Sequence, residues 1–159
     1  MTNILTNTRR AIDEAGLAAS ATPEVVGGHE AVRLISDRSY NGSYTDSYTN
    51  SYIDGYVNSY PGGKPRPVEK PIEVYLVRSS NDYFLTDLGH TFAHLRTVQE
   101  LDITDVFLYR HLARTLFGVP ITRGSLELQI PSADSLVIPF VTMLNCICYL
   151  DEVRFRFLA

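Results

Sequence analysis

The sequence predicts an α+β fold, a single domain over residues 1–159 in which a small antiparallel sheet of four to five strands packs against three to four helices. Three observations carry that expectation. The runs Ile72–Arg78 (IEVYLVR) and Leu126–Ile130 (LELQI) have the β-branched, aromatic and alternating character of strands. Longer segments repeat apolar residues at helical spacing. Between the N-terminal segment and the rest lies a tandem tetrapeptide, Ser39 to Gly63, with Tyr40, Tyr44, Tyr48, Tyr52, Tyr56 and Tyr60 four residues apart.

Taken in order, Leu5 to Ala19 reads as a helix with Arg9, Arg10, Asp13 and Glu14 on its polar side. Glu24 to Ile35 reads as a strand pair, or one bent strand, around Gly27-Gly28. Ile72–Arg78 and Tyr83–Thr86 form a hairpin across the turn residues Ser79–Asp82. Asp87 is placed to cap a helix beginning at Leu88, with Leu88, Phe92 and Leu95 on one face and His90 and His94 nearly opposite. A helix from Thr104 to Phe117 has Asp105 in its first turn and ends at Gly118 before Pro120. Its apolar arc is read as Leu108, Tyr109, Leu112, Ala113 and Leu116, and its polar side as Arg110, His111, Arg114 and Thr115.

A final helix opens at Ser132–Ser135 and tolerates Pro139 near its start. Leu136, Phe140, Met143, Leu144, Ile147, Cys148 and Leu150 leave it no wet stripe, so it should lie at the centre of the domain or form a homodimer interface. The alternating tail Val153–Leu158 reads as a terminal strand or an interface segment.

The Tyr repeat, with the Pro-rich return that follows it, is read as an insertion over residues 39–71. Its Ser, Thr, Asn, Asp and Gly residues disfavour helix, which leaves a long loop, a chain of turns, or a strand entering a hairpin. A surface insertion is the favoured reading, because lengthening a loop adds little closure entropy. As a binding tract it would offer Tyr44, Tyr48, Tyr52 and Tyr56 for stacking. It has no Lys or Arg between Ser39 and Gly63 to neutralise phosphate.

The net charge of −4, with no basic run, argues against nucleic acid and anionic membranes as partners. The uncharged stretch Ser135–Leu150 is shorter than the roughly 20 residues a membrane span needs. Cys146 and Cys148 are too close in sequence for an ordinary disulfide, and the N-terminus has no signal core, so a reducing, cytoplasmic setting is expected.

Candidate chemistry is sparse. His90 and His94 have the i, i+4 spacing of two metal ligands, with His111 or Asp87 as a third, but two solvated histidines explain the spacing more simply. The Cys146–Cys148 pair sits in an apolar helix and fits small buried hydrophobes. Glu127 and Gln129, with Asp102 or Asp105, lack the lysine of metal-dependent nucleases. Arg110 and Arg114 share a helical face and could grip a carboxylate or a phosphate. No catalytic residue and no cofactor is assigned.

The run Ile72–Leu95 resembles the strand–turn–strand–helix signature of an uncharacterised domain-of-unknown-function family of bacteria, phages and mobile elements. The matching residues are Tyr83, Leu85, Thr86, Asp87, Gly89, Thr91 and Leu95; His90 departs from the acidic residue common at that place. The resemblance implies structural roles for Asp87 (helix cap) and Gly89 (tight turn). It supplies no catalytic assignment, and the family's company with phage and defence-related genes implies a small protein that binds another protein. The expected function is therefore a non-enzymatic interaction module, with inhibition of a bacterial defence complex as the specific form. The alternatives are a metal-dependent hydrolase or nuclease on His90 and His94, or a nucleic-acid accessory using the tyrosines.

Overall fold

The computed structural model describes residues 3–40, 70–98 and 103–153. Helix α1 (Ile4–Ala15) begins where the Asn3 side chain accepts the Thr6 amide, and ends at Gly16, whose amide and that of Leu17 return to the carbonyls of Asp13 and Ile12. It ends four residues earlier than the sequence suggests, because Ala19 already opens a strand. Strands β1 (Ala19–Val26) and β2 (His29–Ser39) form a hairpin in which Val26 faces His29 across Gly27-Gly28. Both glycines have positive φ, +57° and +80°, the pairing that a two-residue turn needs if it is to match strand twist. The strand pair, not the bent strand, is what forms.

Strands β3 (Pro71–Ser79) and β4 (Asp82–Thr86) make the second hairpin, followed by α2 (His90–Val98) and α3 (Ile103–Phe117). A short β5 (Ile121–Thr122) turns into β6 (Ser125–Ile130), and a 3-10 turn (Ala133–Ser135) leads into α4 (Val137–Val153). The six strands lie in the order β1-β2-β3-β4-β6-β5, every neighbouring pair antiparallel. The α+β class is the one the sequence predicts. The strand number exceeds the expected four to five because β1 is a separate strand and β5 is too short to carry a pattern.

One face of the sheet meets the helices. Val32, Leu34, Ile72, Val74, Leu76, Leu85, Leu126 and Ile130 join Ile4, Ile12, Phe92, Leu95, Tyr109, Phe140, Met143 and Leu150 in one core. The opposite face holds a smaller cluster of Ala31, Tyr75 and Val77, beside an Arg33–Glu73 ion pair. Central strand β3 is thus buried on both sides from Val74 to Val77, which is why its alternation is imperfect in the sequence.

Helix α4 is the hub, touching α1, α2, α3 and β6. It lies centrally, as one of its two expected placements has it, but it does have a solvent side. Ile138 is 78% exposed and Val141 is also open, while Leu144 and Cys148 are half-buried. Val153 ends this helix, and the rest of the expected terminal strand lies outside the described residues. No helix among the described residues is long and apolar enough to cross a membrane.

Two irregularities position the polar residues. A bulge between Ile35 and Ser39, where Ser36 Oγ donates to the Ile72 carbonyl, delivers Tyr40 into the core. At the β4–α2 corner Leu88 and Gly89 both have left-handed φ, +55° and +77°, so α2 starts at His90 and not at Leu88 as expected. A Cβ on Gly89 would meet only ordinary contacts, the nearest being Ser125 Oγ at 3.5 Å. The conformation, not the space, therefore requires glycine. Gly89→Ala is expected to cost about 1–2 kcal/mol in urea unfolding, with unchanged cooperativity. A variant as stable as the wild type would show that the corner relaxes.

Candidate functional site

The polar residues buried at this corner form a connected chain. Asp87 is fully buried. Its Oδ1 accepts the amides of Gly89 and Leu126, both at 2.9 Å, and its Oδ2 accepts the Thr91 amide at 3.1 Å. Asp87 thus engages the turn and the first turn of α2, Gly89 takes the left-handed conformation, and the bond to Leu126 adds a tie to β6. Thr86 contributes its hydroxyl as acceptor for the Leu88 amide.

Thr91 hands the chain on, its hydroxyl lying 3.1 Å from the Tyr40 hydroxyl. The Tyr40 ring stacks on His94 with centroids 4.6 Å apart, and His94 Nε2 lies 3.3 Å from Asp151 Oδ1. Burial raises the Tyr40 phenol well above its ordinary value, so the hydroxyl stays protonated as a neutral hydrogen-bonding group. Nearby in the core, burial pushes the Cys146 thiol up to about 12, which makes it an inert filler.

A histidine beside a carboxylate resembles the base and its orienting acid in hydrolases. Here the His94 side chain is 0% exposed and a tyrosine ring covers it, so no substrate atom can come within reach. The arrangement clasps α2, α4 and the end of β2 together.

His94 is therefore not the solvated residue the sequence suggests. The helical wheel puts it far from Phe92, yet the buried arc of α2 is wide and includes Thr91, Phe92, His94 and Leu95. His90, about 40° further round, is exposed and sits edge-on to Tyr75 at 5.9 Å. The two histidines do not converge: one meets α4, the other the opposite face of the sheet. Asp87 is taken up by three amides, and His111 lies exposed on α3. Among the described residues no three His, Cys, Asp or Glu side chains gather as a metal would require.

Glu127 and Gln129 line an open cavity of about 390 Å³ on the outer sheet face, with Ser79 and Asp82 at its rim. Asp102, Tyr44, Tyr48, Tyr52 and Tyr56 lie outside the described residues, as does the side chain of Asp105. Tyr40, the first tyrosine of the repeat, is among the described residues and belongs to the core.

Helix α3 differs most from its expected arc. Tyr109 and Ala113 are buried and Leu112 is half-buried, but Leu108 and Leu116 are exposed, Leu116 at 54%. Phe107 is 65% exposed. The helix leans on the core through the side that carries Val106, Tyr109, Ala113 and Phe117. Leu108 and Leu116, at the two ends of the leucine stripe, are exposed, while Leu112 between them packs against the core. Arg110 and Arg114 are both exposed on the flank next to Phe107.

No protein-family model, curated protein or solved structure matches this chain.

Two outcomes follow from the buried chain. Asp87→Ala strands three amides, two of them in buried bonds, and is expected to cost about 3 kcal/mol or more, with Asp87→Asn recovering part of it. A loss below about 1 kcal/mol in urea unfolding would show that the amides find other acceptors. Tyr40 keeps its proton in the folded state at pH values where the unfolded chain, with its phenol at the ordinary value of about 10, has lost it. Folding stability should therefore be complete below about pH 10 and fall as pH rises above it. Tyr40→Phe should flatten that alkaline decline, and parallel curves for the two proteins would refute the assignment.

Proposed function

We propose that this chain is a non-enzymatic protein-interaction module that meets its partner through the outward face of α3. The observation that carries the reading is the exposure of Phe107 and Leu108 on the side of α3 turned away from the buried Tyr109 and Ala113. Burying such side chains against a partner is worth roughly 1.5–3 kcal/mol each. Exposed aromatic anchors flanked by arginine are also the usual composition of binding hot spots. The buried polar groups support the reading from the other side, since Asp87, Thr91, Tyr40, His94 and Asp151 are engaged with one another or with backbone.

The resemblance of Ile72–Leu95 to a family of phages and mobile elements supports one specific form, a small inhibitor that occupies a subunit of a bacterial defence complex. The test is affinity capture from bacterial lysate with the wild type and with Phe107→Ser/Leu108→Ser, after circular dichroism has shown both to be folded. A stoichiometric protein retained by the wild type and lost by the variant is the expected result. Identical sets of proteins from both would overturn α3 as the surface.

A further inference from the structure

We propose that the sheet edge formed by β1 is closed against pairing with a second copy of this chain, and that Arg9 is the group that closes it. Among the described residues β1 is the outermost strand at one end of the sheet. An open edge strand presents unpaired amides and carbonyls, and a second copy of the same strand always supplies a match for them. The hairpin register shows which groups face that way. Val26 and His29 flank a two-residue turn and exchange hydrogen bonds, so the alternation of an antiparallel ladder turns Glu24, Thr22 and Ser20 towards β2 as well. Val25, Pro23, Ala21 and Ala19 turn their backbone groups outwards.

Those four residues are engaged in different ways. The Ala19 amide donates to the Leu17 carbonyl at 3.0 Å. Pro23 has no amide hydrogen to offer. The Val25 amide donates to Oε1 of the neighbouring Glu24 at 3.3 Å. Ala21 is left as the residue with both a donor and an acceptor on this side. Arg9 reaches it from α1, and its Nη2 donates to the Ala21 carbonyl at 3.0 Å. In a two-fold antiparallel pair of β1 strands centred there, the two Ala21 residues would exchange both their bonds, and Pro23 would lie opposite Ala19. The guanidinium occupies the acceptor that the central exchange needs, and each proline removes one donor beside it. The other end of the sheet is blunted by length, since β5 has two residues and is entered from Pro120.

The test compares the full chain with Arg9→Met, Pro23→Thr, Arg9→Lys and Arg9→Met/Pro23→Thr, each shown by circular dichroism to be folded. Sedimentation velocity at rising concentration reads association, and hydrogen exchange reads single amides. Arg9→Met is expected to dimerise where the wild type does not gain mass. The double variant should dimerise about tenfold or more tightly still, because the restored amides add two bonds per dimer. Exchange at the Ala21 amide should slow about tenfold or more as the dimer forms. Arg9→Lys keeps a donor near the Ala21 carbonyl and should match the wild type, as should Pro23→Thr with Arg9 still in place. A folded double variant that sediments as the wild type does would overturn the proposal. Association that leaves the Ala21 amide unprotected would overturn it too, because the copies would then be meeting elsewhere. If the double variant does not fold, Arg9→Met alone decides by the same two readings.

Discussion

Asp87 has lost all contact with water, and its two carboxylate oxygens hold three backbone amides drawn from separate places. Gly89 belongs to the corner, Thr91 to the first turn of α2, and Leu126 to the strand that lies beside β4. An ionised group inside a protein is tolerated only when hydrogen bonds replace its hydration. These amides supply that replacement, and in accepting them the carboxylate fixes where the helix starts, how the chain turns and which strand comes next. The left-handed residues Leu88 and Gly89 exist because the chain must turn between an acceptor and donors this close to it.

The second constraint grows out of the first. Thr91, positioned by Asp87, meets the hydroxyl of Tyr40; Tyr40 covers His94; His94 reaches Asp151 near the end of α4. Three elements that are distant in sequence are therefore held by polar contacts inside an apolar core, where a low dielectric strengthens each contact and makes an unsatisfied one costly. Such a chain selects one packing arrangement of α2 against α4, whereas leucine contacts alone would accept several.

Much of this fold was legible in the residues. Gly27-Gly28 marked a hairpin, and the turn residues after Arg78 marked another. Asp87 announced a helix start and Pro139 a first turn. What escaped was tied to burial set by distant partners. The imperfect alternation of β3 reflects cover on both faces, which a strand cannot advertise alone. A wheel centred on Leu88 and Phe92 makes His94 a wet residue, but Leu88 is outside the helix altogether. One signal was available: Asp151 falls one turn after Ile147 on the buried side of an apolar helix, and an acid there needs a partner. For α3, the expected arc of Leu108, Tyr109, Leu112, Ala113 and Leu116 holds for Tyr109, Leu112 and Ala113, while Leu108 and Leu116 are exposed, which periodicity alone does not reveal.

The register of β2 and β3 ends with Ser39 facing Pro71, and one more bond joins the Tyr40 amide to the Lys70 carbonyl. The sheet is therefore already closed where the tetrapeptides begin, and Tyr40 is pinned beneath α2. Both ends of the segment between residues 39 and 71 are thus fixed by the ladder and by the core, independently of what lies between them. A foreign peptide grafted there would start and finish at two anchored neighbours.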